Sequence, residues 1–193
     1  ILARYANSQP NEMLDVFIKL AHAIRPRVSV KAMVKGEPCA RIASRLFDFD
    51  EVVKPLLGID GGGAFYAQTK TEWDWNSRYW HQIAQYRLEL AFSHIDPVQR
   101  RFEADRAVQH ARFAKTIEAG HQFTLTTIGR VIFGKSRLFG EMATDDLKEG
   151  IEALCEAIRV ERRKNRVSVH PFMILFRGLS DCIEIGAILS NDQ

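Results

Sequence analysis

Gly129-Arg-Val-Ile-Phe-Gly134-Lys135-Ser136 spells G-x-x-x-x-G-K-[ST] in full. In a phosphate-binding loop the glycines let backbone N–H groups turn onto the phosphates. The lysine reaches the outer phosphates, and the serine hydroxyl holds magnesium. Such a loop needs a strand before it and a helix behind it. Phe123 to Ile128 has the composition for a strand, but the turn itself does not fit. Arg130, Val131, Ile132 and Phe133 are large, two of them β-branched, and resist the curled conformations that bring amides onto a phosphate. No later apolar run ending in Asp offers a magnesium-side partner. The same residues place Leu125, Ile128, Gly129 and Ile132 at the spacing W-x₂-L-G-x₂-Y of the first helix of a tetratricopeptide hairpin. On that reading Gly129 is the small residue at a helix crossing, and Gly134-Lys135-Ser136 leaves the helix into an inserted turn. Nucleotide binding through Gly129, Gly134, Lys135 and Ser136 stands as the alternative.

Other residue types point to less chemistry. Gly58-Ile-Asp60-Gly61-Gly62-Gly63 resembles the first phosphate motif of sugar-kinase and actin-like ATPases, but has Ala64 where Ser or Thr usually follows. A glycine hinge between helical parts is the simpler reading. The six histidines lack H-E-x-x-H spacing, and no G-x-S-x-G elbow occurs. Cys39, Cys155 and Cys182 are far apart, with no C-x-x-C pair, which argues against a cysteine zinc site or a disulfide framework and for a reducing compartment. Asp145-Asp146 reads as a helix cap. Arg159, Arg162, Arg163, Lys164 and Arg166 suit the carbonyl end of a helix. Nucleic-acid contact through Arg159–Arg166 is a second alternative. The formal net charge of +3 is too mild to imply a polyanionic partner by itself. No catalytic constellation, cofactor site or metal site is expected.

The elements that would position these residues are helices. Met13, Leu14, Phe17, Ile18, Ala21 and Ile24 recur at i, i+3/i+4 behind Asn11 as N-cap, and Pro26 ends the run. A helix is expected over Lys31–Lys35, although Val28, Val30, Ala32 and Val34 alternate as a strand would. Short helices follow over Ala40–Phe47 and behind Asp50. Gly61-Gly62-Gly63 is the strongest loop signal and sets a boundary. Longer helices are predicted over Phe65–Trp75, Tyr79–Phe92, Phe102–Ala119, Phe123–Phe133 and Leu147–Arg163. A last one starts near Pro171 and runs to Leu189. Trp73 and Trp75 are two apart and cannot both face a core.

Within these helices, small and large residues recur as paired hairpins require. Trp80, Ile83 and Ala84 face Ala107, Ala111 and Ala114; Leu125, Ile128, Gly129 and Ile132 face Gly150, Leu154 and Ala157. Phe172, Leu175, Phe176 and Leu179 repeat the first-helix offsets, with bulky Phe176 at the small position. The step from Ala84 to Gly129 is 45 residues, against ~34 in the ideal repeat. The excess is assigned to insertions at Ser93–Arg101 and Gly134–Asp145. The expected fold is all-α: antiparallel hairpins in a degenerate tetratricopeptide-like α-solenoid. Residues 1–60 form a helical linker subdomain, and 61–193 form the repeats with a terminal capping helix.

Five stretches, Pro10-Asn-Glu-Met-Leu-Asp15, Arg78-Tyr-Trp-His-Gln82, Ala107-Val-Gln-His-Ala-Arg112, Phe123-Thr-Leu-Thr-Thr-Ile-Gly129 and Val169-His-Pro-Phe172, resemble the C-terminal helical part of bacterial STAND-type P-loop NTPases. The resemblance implies a multidomain antiviral-defence or signalling protein whose ATP site lies upstream of Ile1. The repeats then act as a non-enzymatic sensor or regulatory segment. Its partners would be a protein or peptide and neighbouring domains of a longer chain, in the cytoplasm and away from membrane. Tyr79, Gln82, Tyr86, Thr126 and Arg130 are the exposed contacts expected along the concave groove.

Overall fold

A computed structural model of the chain describes residues 10–24, 33–34, 37–38, 45–141, 144–164 and 168–191. Its helices are α1 (Pro10–Ile24), α2 (Lys54–Trp73), α3 (Ser77–Ser93), α4 (Pro97–Ile117), α5 (Gln122–Phe139), α6 (Thr144–Arg163) and α7 (His170–Asn191). A π-helical turn, Phe49–Val53, leads into α2. Met33–Val34 pairs antiparallel with Glu37–Pro38, so the helix expected over Lys31–Lys35 gives way to a minimal hairpin there. Among the described residues the fold is all-α apart from this pair.

Gly61–Gly63 are helical within α2, and the break falls earlier, at Gly58 (φ 70°, ψ −173°), a left-handed conformation that glycine adopts without steric penalty. Gly62 and Gly63 are needed for packing instead: a Cβ on Gly62 would stand 3.0 Å from Val53, and one on Gly63 would overlap the Tyr86 hydroxyl. The boundary expected after residue 60 therefore runs through a helix. One aromatic core cluster draws on both sides of it, from Met13 and Phe17 through Phe47 and Phe65 to Trp73, Tyr79 and Tyr86. The polar stretch Ser93–Arg101 is not a long loop. Asp96 carboxylate oxygens accept from Val98 N at 3.1 Å and Gln99 N at 3.3 Å, and Pro97 occupies the first turn of α4.

Helix α5 likewise runs past its expected end at Phe133. It stops at Gly140, whose φ of 62° supplies a left-handed C-cap. The 45-residue step is thus filled by long helices and not by inserted turns, since α3, α4 and α5 have 17, 21 and 18 residues.

Helix α3 pairs with α4, α5 pairs with α6, and α5 also packs on both α3 and α4. Helix α7 packs on α5 and α6. The second core cluster lies between the hairpins, with Ala84, Ala107 and Ala111 giving way to Leu125, Ile128 and Ile132. A Cβ on Gly129 would overlap Leu154, and one on Gly150 would sit 3.1 Å from Ile132, so the α5–α6 crossing depends on both glycines. Arg87 ties α3 to α4 by two bonds to buried Glu103, at 3.0 and 2.8 Å.

Trp73 is fully buried, and Trp75 lies exposed with its ring stacked on it at 6.0 Å. Among the described residues no helix is long and apolar enough to cross a membrane.

Candidate functional site: a cleft on the inner faces of three helices

The first helix of each hairpin, α3 and α5, lies side by side with α7, and their shared face carries a cleft with a cavity of about 250 Å³. Twelve residues line it, four from each helix: Gln85, Leu88, Glu89 and Phe92; Arg130, Phe133, Gly134 and Arg137; Ile174, Arg177, Gly178 and Asp181. The internal spacing is the same in all three sets. Every α5 position lies 45 residues after its α3 counterpart (85 to 130), and every α7 position lies 44 after its α5 counterpart (130 to 174). Such spacing places each set along one helical face over about two turns.

Two of the repeated positions are glycines for a steric reason. A Cβ on Gly134 would stand 2.9 Å from two carbons of Leu88, and a Cβ on Gly178 would overlap the Phe133 ring. The three helices approach closely because these side chains are missing. The floor is apolar, from Leu88, Phe133 and Ile174. The rim is charged. Arg137 lies over the Phe92 ring at 5.5 Å, and Glu89 is paired with Lys54.

A second cavity, also about 250 Å³, continues from the first through Gln85 and Arg130. The turn at Asp48, Asp50 and Glu51 closes one side, and Gln82, Thr126 and His170 line it. Arg130 reaches Asp50 at 2.9 Å. Gln82 holds the turn in place by accepting from Phe49 N at 2.8 Å. Burial holds Asp48 above the usual carboxylate range despite its bond to Glu51 N. His81 forms part of the floor, with the Thr127 hydroxyl against its Nδ1. Burial, aided by Arg130, lowers its pKa to about 3. The imidazole is therefore neutral near pH 7 and far from the value suited to a general base.

Of the five expected contacts, Gln82, Thr126 and Arg130 line this second cavity, although Gln82 and Thr126 are only 5% and 7% exposed. Tyr79 and Tyr86 do not reach the groove. They are buried at 1% and 8% exposure, because they share with Ile83 the face of α3 that turns toward the aromatic core. The cleft residues that sequence reasoning missed are those on α7 together with Gln85, Leu88, Glu89, Phe92, Phe133 and Arg137. Their signal is the repeated spacing, which can be read only once α5 is known to run to Phe139.

The phosphate-loop match lies inside α5. Its amides are committed along a continuous helix and cannot converge on a phosphate. The Lys135 ammonium instead lies 2.7 Å from Asp105 and 3.8 Å from Asp146. In the basic cluster, Arg159 and Arg163 both pair with Glu156, and Arg162 lies over the Phe172 ring at 5.9 Å. Arg166 is outside the described residues. Among those residues no group of His, Cys, Asp and Glu is arranged to hold a metal ion.

Bulky Phe176 of α7 has no tightly packed partner. The outward face of that helix exposes Phe172, Met173, Phe176, Leu179 and Ile183, with Phe176 at 76%. Compared with known protein families, curated proteins and solved structures, the chain matches none.

Proposed function

We propose that the chain is a degenerate tetratricopeptide-like array whose inner helices form a groove for a protein or peptide partner. It recognises without catalysing. One observation carries this reading: a four-residue lining pattern recurs on three successive inner helices, 45 and then 44 residues apart. Stacked repeats present equivalent faces side by side, and the concave surface they make is the one such proteins use for binding. The groove also combines an apolar floor with a few placed polar groups, the usual make-up of a recognition site. The stretches that resemble STAND-type NTPases would make this groove the sensor or regulatory surface of a larger protein.

The test is selection of random displayed peptides on the full chain, followed by affinity measurements on two variants. Gln85→Trp fills the cleft from its rim, and Lys148→Trp adds the same bulk to the exposed outer side of α6. Gln85→Trp should weaken the selected peptides by roughly tenfold or more, as loss of a central contact does. Lys148→Trp should leave them unchanged. Equal affinities for both variants would remove the groove as the binding site.

A further inference from the structure

Resting on that groove reading, we infer that the cleft selects an internal acidic residue, Asp or Glu, next to a bulky apolar side chain of a peptide. Arg137 and Arg177 line the same cavity from α5 and α7. Neither has an ion-pair partner among the described residues, whereas Arg130 is already engaged by Asp50. Arg137 lies over the Phe92 ring at 5.5 Å, a contact that leaves its N–H donors unused. A planar guanidinium presents two parallel donors that match the two oxygens of a carboxylate. Leu88, Phe133 and Ile174 make the adjoining floor, where an aromatic or aliphatic side chain loses its hydration.

The acidic residues of the rim argue against a polyphosphate backbone as the occupant. Asp181 stands one helical turn from Arg177, and Glu89 lies across the cleft. These carboxylates repel a dense run of phosphates. With Arg130 and Glu89 already paired, Arg137, Arg177 and Asp181 leave one net positive charge, which suits a single carboxylate and not a run of phosphates. Charge complementarity therefore favours an isolated acidic side chain beside an apolar anchor.

The experiment uses the full chain and a random-peptide library displayed with its C-terminus fused, so that only internal carboxylates are offered. Selected sequences are synthesised with amidated ends and measured by fluorescence anisotropy. Wild-type selection should enrich Asp or Glu next to Phe, Leu or Trp. Changing that acid to its amide should weaken binding by roughly tenfold, as for a charge-assisted contact. Arg137→Glu/Arg177→Glu should do the same or more, with an unchanged melting temperature because both residues lie on the rim. Peptides that bind without acidic enrichment, and equally well to the double variant, would overturn this inference and leave the groove reading intact. Failure to select any peptide would overturn both. A single-stranded oligonucleotide that displaces the selected peptides, and is itself lost in the double variant, would replace the acidic peptide with a nucleic acid.

Discussion

Helices α5 and α7 begin from the same pattern and end in opposite environments. In α5, Leu125, Ile128, Gly129 and Ile132 are all buried. In the 44-residue register of the cleft their counterparts, just before and within α7, are Val169, Phe172, Met173 and Phe176, and all four are exposed. The difference traces to the residue at the crossing and to what lies across it. Gly129 leaves space for Leu154 of α6, so two helices close on each other. Its counterpart Met173 offers no such space, and it is 60% exposed, with no second helix over it among the described residues. On the cleft side the two helices agree, because Gly134 permits close approach to α3 and Gly178 to α5. The inner face is therefore built by all three helices, whereas the outer face is completed only where a partner helix is supplied.

Substitutions at the α5–α6 crossing should give the largest effects. Leu154→Ala removes a side chain with no exposed surface, and urea unfolding should show a loss of about 2–5 kcal/mol. Gly129→Val forces a side chain into Leu154 and should cost about 1–3 kcal/mol or more by overpacking. A loss below roughly 0.5 kcal/mol in either variant, the level of an ordinary surface change, would mean that the crossing is not tightly packed.

A pH effect should come next. His81 has a folded-state pKa of about 3, below the unfolded value of about 6.5. Burial lowers that of His110 as well, to about 4. Between those values and pH 6.5 the unfolded chain binds more protons, so stability rises with pH there. Their contribution is complete above about pH 6.5 and is lost as the pH falls toward 3. Unfolding curves across this window should show it, and His81→Gln should flatten the slope. An unchanged slope would mean that the imidazole is accessible to protons in the fold.

The smallest effects should fall on exposed positions. Phe176→Ala should change stability by less than about 0.5 kcal/mol, in contrast to Leu154→Ala. Lys135→Ala should cost no more than about 1 kcal/mol, the worth of a part-exposed ion pair. Magnesium-ATP should shift the melting temperature of neither wild type nor Lys135→Ala. A shift present in wild type and absent in the variant would restore the phosphate-loop alternative.

Much of this was legible in the residues, because helical periodicity and small-residue crossings act locally. The pairing of Ala107 and Ala111 with α3, and of Gly129 with Leu154, follows from that pattern. What was missed depends on distant context. Gly61–Gly63 look like a loop until Tyr86 and Val53 come close enough to forbid side chains. Tyr79 and Tyr86 look like surface aromatics until the segment before α2 folds back over α3. Gly134 looks like a helix end because a single sequence does not reveal that Leu88 lies against it. Arg137 and Arg177 carry no local signal of a shared cleft, being 40 residues apart.

The most direct test is site-specific photo-crosslinking of a selected peptide. A crosslinker is placed in turn at Gln85, at Arg137 and at Phe176. The groove account predicts capture from Gln85 and Arg137 and none from Phe176. Capture from Phe176 alone would contradict it and move recognition to the outer face of α7.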